Sequence, residues 1–234
     1  MTTRTEAPTL AEDLLLLLFQ PNSGGRAGTG TIAGENTLFH TLAGAVLADL
    51  GLGDHVRTGA GRGGSTRVEA VADHPPADDI LRSAWDYLLA KPRGVQTVLA
   101  AIGPTLRSPL LDRLVERGDI RREARTALGL FRTTVLGDGG NGRRARLLDD
   151  VRDVLVEGAE RQPRVAALVG LLSGSGTLPQ FHREIPWTAP VIARAKELEQ
   201  GNWGAGAAAE AVTRTVTATI VNTVVAASVL PPRT

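Results

Sequence analysis

The sequence predicts a mostly α protein that carries a β-hairpin, and three observations point there. Apolar residues recur at i, i+3 and i+4 spacing through most of the 234-residue chain. Thr9 followed by Glu12 forms a capping box, which opens a helix directly ahead of the leucines at 14–18. The stretch "GLFRTTVLG" breaks from helical spacing, is rich in β-branched and aromatic residues, and sits beside the turn signal "GDGGNG".

The elements follow in order. Leucine on every face from Leu14 to Leu18 predicts a helix surrounded by protein, ended by Pro21 and "NSGG". With Glu12 and Asp13 ahead of it, the run has the wrong flank for an export signal, and it is too short to span a bilayer, which takes about 20 apolar residues. Residues 22–34 are small, polar and glycine-rich and read as a long mobile loop. Leu38, Leu42, Val46 and Leu50 predict a second helix, stopped at Gly51 or Gly53. A small ribbon is expected over 54–73, around a glycine turn. An amphipathic helix follows, with Ile80, Leu81, Trp85, Leu88 and Leu89 on its apolar side.

Beyond Pro92, "VQTVLAAIG" and "SPLLDRLVERG" read as two further helices, the second ending at Gly118. The hairpin comes next, with Leu128, Leu130 and Phe131 as candidates for an apolar tip. Helix resumes with Leu147, Leu148, Val151 and Leu155 on one side, and "PRVAALVGLLSGSG" is apolar enough to be central. "PWTAPVIARAKELEQGN" adds another helix. The last segment is rich in β-branched residues, yet Val212, Val216, Ile220 and Val224 recur at i, i+4 and favour a buried helix over a strand. Residues 1–8 are expected to be a flexible terminus and 9–230 one domain.

Composition narrows the chemistry. The net charge is +1, so any anion site must be a local cluster. There is no cysteine, hence no disulfide, thiolate metal site or cysteine nucleophile. Lys91 and Lys196 are the only lysines, an arginine preference that fits GC-rich, bacterial coding and also suits phosphate recognition by a planar fork. His40, His55, His74 and His182 are scattered singly, so no metal site is expected. "GRAGTGTIAG" lacks the Gly-Lys-Ser/Thr ending of a phosphate loop. Asp78-Asp79 and Asp149-Asp150 are adjacent pairs that diverge on a helix. No catalytic residue or cofactor is predicted.

The arginines form groups: Arg57, Arg62 and Arg67; Arg107 and Arg113; Arg121, Arg122 and Arg125; Arg143, Arg144 and Arg146. Spread along helices, such residues read as a solvated face. Beside an apolar hairpin tip they also suit contact with anionic head groups.

The order of "TLAEDLLLLL", a glycine loop, "LAGAVLADLGL", "LVERGDI", "GLFRTTVL" and "RVAALVGLLSGSG" resembles the Golgi phosphoprotein 3 family along nearly the whole chain. The resemblance implies a single compact helical-bundle domain with surrounding amphipathic helices and a protruding β-hairpin. It also implies a non-enzymatic, cytoplasmic peripheral membrane adaptor that binds phosphatidylinositol 4-phosphate and protein clients and self-associates. In register, the family's head-group tryptophan falls near Gly34, and its three arginines fall at Ala43, Pro104 and Arg107, so only Arg107 is kept. Arg26, Arg62 and Arg113 are the candidates to replace the missing donors. Two alternatives stay open: a protein-interaction or self-associating module of the same fold, and a nucleic-acid binder, which the near-neutral charge disfavours.

Overall fold

The computed structural model describes residues 7–21, 29–61, 66–127, 131–159, 162–201 and 207–229. Leucine on all sides of a capped helix must be enclosed, and helix α1 (Leu10–Leu18) is: all nine of its residues are buried. The predicted capping box is formed, with the Glu12 amide donating to Thr9 Oγ1 at 3.2 Å and the Thr9 amide to Glu12 Oε2 at 2.8 Å. Around α1 lie α2 (Leu38–Leu52), α4 (Val95–Glu116), α5 (Arg143–Arg152) and α6 (Pro163–Gly174).

Helix α2 is the second central element. It packs on α1, α4 and α6, on α3 (Asp79–Leu89) and on α8 (Ala207–Val229). Close approach is possible because Gly44 lacks a side chain: a Cβ there would lie 2.7 Å from Ile220 Cδ1 and 2.9 Å from Val216 Cγ1. Val212, Val216 and Ile220 of α8 are fully buried, as their spacing predicts. Four threonine hydroxyls of α8 are satisfied within the helix, donating to the carbonyl four residues back, at Thr215, Thr217, Thr219 and Thr223. Helix α7 (Ala189–Glu199) buries Val191, Ala195 and Leu198 against α6.

The structure departs from the sequence expectations at four places. First, the far end of the 22–34 stretch is not loop: β2 (Thr31–Ile32) pairs antiparallel with β1 (Phe19–Gln20), although 22–28 lie outside the described residues. Second, the two helices expected after Pro92 are one, the 22-residue α4, with Pro104 and Pro109 inside it. Each proline removes a backbone donor at a cost of about 3 kcal/mol. The helix persists because Val98, Leu99, Leu106, Leu110, Leu111 and Leu114 form a continuous buried face, largely against α2. Third, Leu89 is 46% exposed, leaving Leu81, Ala84, Trp85 and Leu88 as the buried side of α3. Fourth, β3 (Val56–Ala60) and β4 (Thr66–Ala70) form the expected ribbon, but β5 (Arg93–Gly94) adds a third strand.

The hairpin runs over β6 (Ile120–Ala127) and β7 (Phe131–Asp138), in register from Ile120↔Asp138 to Ala127↔Phe131. At its base Gly118 takes φ +72° and Gly139 lies against the Gly118 carbonyl, where any side chain would collide. The amide of Gly30 donates to the Leu136 carbonyl at 2.8 Å, which ties the β1–β2 ribbon to the outer edge of β7. Helix α5 continues into a wide turn at Asp153–Glu157 that keeps Val154 and Leu155 inward and ends at Gly158, φ +71°. Buried apolar residues from α1 through α8 form one continuous core. Among the described residues no helix is long and apolar enough to cross a membrane.

Candidate functional site

Because α1 is enclosed, its two acids are enclosed as well: Glu12 is 0% and Asp13 5% exposed. A buried carboxylate needs charge partners, and they come from distant helix ends. Arg117 Nε donates to Glu12 Oε1 at 2.9 Å, and Arg113 lies 3.6 Å from Glu12 Oε2 while donating to Asp78. Arg143 bridges Asp13 and Asp119. Arg164 donates to Asp13 at 2.6 Å and to Asp49 at 3.3 Å. Asp49 also accepts from the Leu10 amide at 2.7 Å.

Four arginines thus meet five carboxylates, Glu12, Asp13, Asp49, Asp78 and Asp119. Burial raises the Asp49 pKa, against the lowering effects of Arg164 and the Leu10 amide. Burial works against the charge on Arg113, but its bond to Asp78 and the field of Asp78 and Glu12 hold its pKa above the ordinary value. Arg113 therefore serves the interior, and the structure gives no support to its assignment as a head-group donor. The sequence carried a usable signal: an acid on a helix that is apolar all round must be buried and must therefore attract arginines.

The segments that the family register assigns to a head-group pocket do meet. Arg107 Nη2 donates to Glu35 Oε1 at 2.7 Å, with the two side chains 50% and 52% exposed. One turn away the backbones of α2 and α4 nearly touch, since a Cβ on Gly103 would lie 2.5 Å from the Phe39 carbonyl oxygen. Phe39 is 37% exposed and its ring centroid lies 3.8 Å from that of His40, whose partial burial lowers its pKa. The backbone also accounts for the missing pocket residues. Gly34 takes φ +70° with Thr177 Cγ2 2.5 Å from any Cβ, so a tryptophan there would be strained. Ala43 is fully buried, so an arginine there would bury its charge. Pro104 sits within α4 beside Gly103.

Arg26, Arg62, Leu128 and Leu130 lie outside the described residues. Phe131, described by its backbone only, opens β7 opposite Ala127. Sequence reasoning missed the groove beside the Arg107–Glu35 pair, a cavity of about 760 Å³ lined in part by Gln20, Thr31, Gly34, Glu35, His182 and Arg183. It also missed the meeting of two of the histidines read as isolated, since the rings of His55 and His74 lie 4.5 Å apart. Each has its Nδ1 on a backbone carbonyl across the ribbon's base, at His74 and Asp54. Among the described residues no group of three or more His, Asp or Glu side chains is placed to hold a metal ion.

Comparison with curated protein sequences gives no match. The family model described as Golgi phosphoprotein 3 (GPP34) matches residues 10–215, from the first residue of α1 into α8. With most of its 234 residues covered by that match, and with the mostly helical architecture and hairpin described above, the chain belongs to the Golgi phosphoprotein 3 family.

Proposed function

We propose that the protein is a peripheral adaptor that binds anionic head groups reversibly at the cytoplasmic face of a membrane, with Leu130 and Phe131 of the hairpin tip inserting and Arg107 pairing with phosphate. The observation that carries this reading is the half-exposed Arg107 of α4, paired with Glu35 just ahead of α2; the resemblance implies that it is the one arginine of the family's pocket that this chain keeps. A guanidinium in that position can release Glu35 and take a phosphate oxygen, because an exposed ion pair holds its partners by about 1 kcal/mol or less. Each arginine brought near an anionic surface adds roughly 1 kcal/mol of attraction. With Gly34, Ala43 and Pro104 in place of the family's other donors, the attraction rests on charge and insertion more than on phosphoinositide recognition. On this reading the protein acts by binding lipid and protein clients, without catalysis, cofactor or nucleic acid.

Co-sedimentation with vesicles tests it. The protein is expected to pellet with phosphatidylserine-containing vesicles at low salt and to remain in solution with phosphatidylcholine alone. Arg107→Ala and Phe131→Asp are each expected to weaken binding. Failure to pellet with any anionic vesicle would overturn the proposal.

One observation favours a second reading, self-association through the hairpin. Among the described residues β6 pairs only with β7, so its other edge is open to a further strand. A Phe131→Asp variant that changes oligomeric size while the parent shows no affinity for vesicles would favour that module over the lipid adaptor.

A further inference from the structure

The base of the β3–β4 ribbon brings together two of the four histidines. His55 stands just ahead of β3 and His74 a short way beyond β4, and their ring centroids lie 4.5 Å apart with a tilt of 47°. His55 Nδ1 is 2.9 Å from the His74 carbonyl oxygen, and His74 Nδ1 is 3.3 Å from that of Asp54. A carbonyl oxygen only accepts, so both Nδ1 atoms carry the proton in these bonds. In the neutral imidazole the lone pair then sits on Nε2 of each ring. A histidine that ligates a metal through one nitrogen is held in this way, with its other N–H donated to a carbonyl or carboxylate that fixes the tautomer and the ring's orientation.

Both rings are mounted on fixed backbone. The end of α2 turns through Asp54, whose φ of +55° is the only positive value at a non-glycine among the described residues. The Asp54 amide donates to the Gly51 carbonyl at 3.1 Å and the His55 amide to the Leu50 carbonyl at 2.9 Å, the paired bonds that close a helix around a left-handed residue. An aspartate thus stands where glycine would be unstrained, and its carbonyl is the one that receives His74. The His55 carbonyl accepts from the Val71 amide at 2.8 Å and from the indole of buried Trp85 at 3.1 Å, while the His74 amide donates to the Val71 carbonyl at 3.1 Å. A Cβ on Gly53 would stand 2.6 Å from His55 Nε2, so the lack of a side chain there leaves that nitrogen open to approach. His55 is partly exposed and His74 exposed.

We propose that His55 and His74 together bind one divalent transition-metal ion through their Nε2 atoms, with water in the remaining positions. Two imidazoles that each reach one ion at about 2.0–2.1 Å, at a right angle to one another, have centroids roughly 4.5 Å apart, the spacing of this pair. Imidazole nitrogen suits zinc, copper and nickel, whereas magnesium and calcium take oxygen. With two protein ligands the coordination stays open, and the ion acts as a clip that joins the turn at Asp54 and His55 to His74 across the ribbon's base. The pair involves neither Arg107 nor the hairpin, so metal uptake and vesicle binding succeed or fail separately.

The test is calorimetric titration of the untagged protein with nickel chloride and zinc sulfate, with magnesium chloride as control, together with electron paramagnetic resonance of the protein loaded with copper chloride. The wild type is expected to take up one nickel or zinc ion per chain and no magnesium, and its copper spectrum to show two coordinated nitrogens. His55→Gln and His74→Gln are each expected to weaken nickel binding about 100-fold and to reduce the copper signal to one nitrogen. Gly53→Ala keeps both histidines but crowds His55 Nε2, and is expected to weaken nickel binding about tenfold. His40→Gln and His182→Gln should leave uptake unchanged. Nickel at about a hundred times its dissociation constant should raise the wild-type melting temperature by roughly 5 °C and leave that of the His55→Gln/His74→Gln double variant unmoved. Metal-free melting temperatures near the parent's show that the variants fold, and should one fail to fold, the nitrogen count of the wild type decides alone. Absence of uptake of all three transition metals, a copper signal without two coordinated nitrogens, or uptake that survives in the double variant overturns the site.

Discussion

At the amino-terminal end of α1, Arg113, Arg117, Arg143 and Arg164 close on buried carboxylates, while beside the groove Arg107 stands at the surface with one weak partner. The residue type is the same, and what differs is the solvent. Glu12 at 0% exposure cannot be left without a cation, so its arginines are fixed by the cost of an unpaired buried charge. Glu35 at about half exposure imposes no such cost, and Arg107 remains available for exchange. Arginine content thus says little about ligand binding until the carboxylates have been placed.

The contrast yields predictions of decreasing size. Glu12→Ala removes a buried carboxylate that Arg117 and Arg113 both face, together with the capping box, and is expected to destabilise the fold by about 3–5 kcal/mol. Chemical denaturation would measure this, and a loss below 1 kcal/mol would mean that the arginine–carboxylate cluster at the start of α1 is not a desolvated network. Gly103→Val drives a side chain into the Phe39 carbonyl and is expected to cost about 1–3 kcal/mol. Since it separates α2 from α4, it should also lower vesicle affinity, whereas Glu12→Ala should leave the affinity of the folded fraction intact.

Asp49 provides a smaller effect with a definite sign. Its folded pKa is raised, chiefly by burial. A carboxyl of this kind contributes stability that is full below the unfolded pKa and is lost as pH rises through the folded pKa. Asp49→Asn keeps an acceptor for the Leu10 amide and removes the buried charge, so the melting temperature at neutral pH is expected to rise by about 2 °C. The decline in stability as pH rises from the ordinary aspartate range through the raised folded pKa should flatten. A lower melting temperature at neutral pH would show that the contact with Arg164 outweighs the burial of the charge.

The smallest effects on stability belong to the exposed pair. Arg107→Ala and Glu35→Gln are each expected to change stability by about 0.5 kcal/mol or less. Their effects on anionic vesicles should be opposite, with Arg107→Ala weakening binding and Glu35→Gln strengthening it by releasing Arg107. Weaker binding by Glu35→Gln would mean that the pair itself forms the contact.

Much of this molecule was legible in the residues because much of it is local. Thr9 and Glu12 declare a helix start three residues apart, Leu14 to Leu18 declare enclosure, and "GLFRTTVL" beside a glycine turn declares a hairpin. The order of these segments carried the family as well. Where local signals erred, packing had overruled them: Pro104 and Pro109 announce a break in α4, and the buried leucine face against α2 keeps the helix whole.

The assignment of charges lies beyond such reading. Glu12 and Arg117 are 105 residues apart in the chain, and Asp13 and Arg164 are 151 apart. No periodicity reports a pairing of that span, because the energy that selects it is the desolvation of groups brought together only when the helices pack. By itself the sequence determined the capped start of α1, the enclosed leucines and the hairpin, whose causes act over a few residues. The tertiary structure alone decided that Arg113 belongs to the interior, that Glu35 answers Arg107, and that His55 meets His74 across the base of the ribbon.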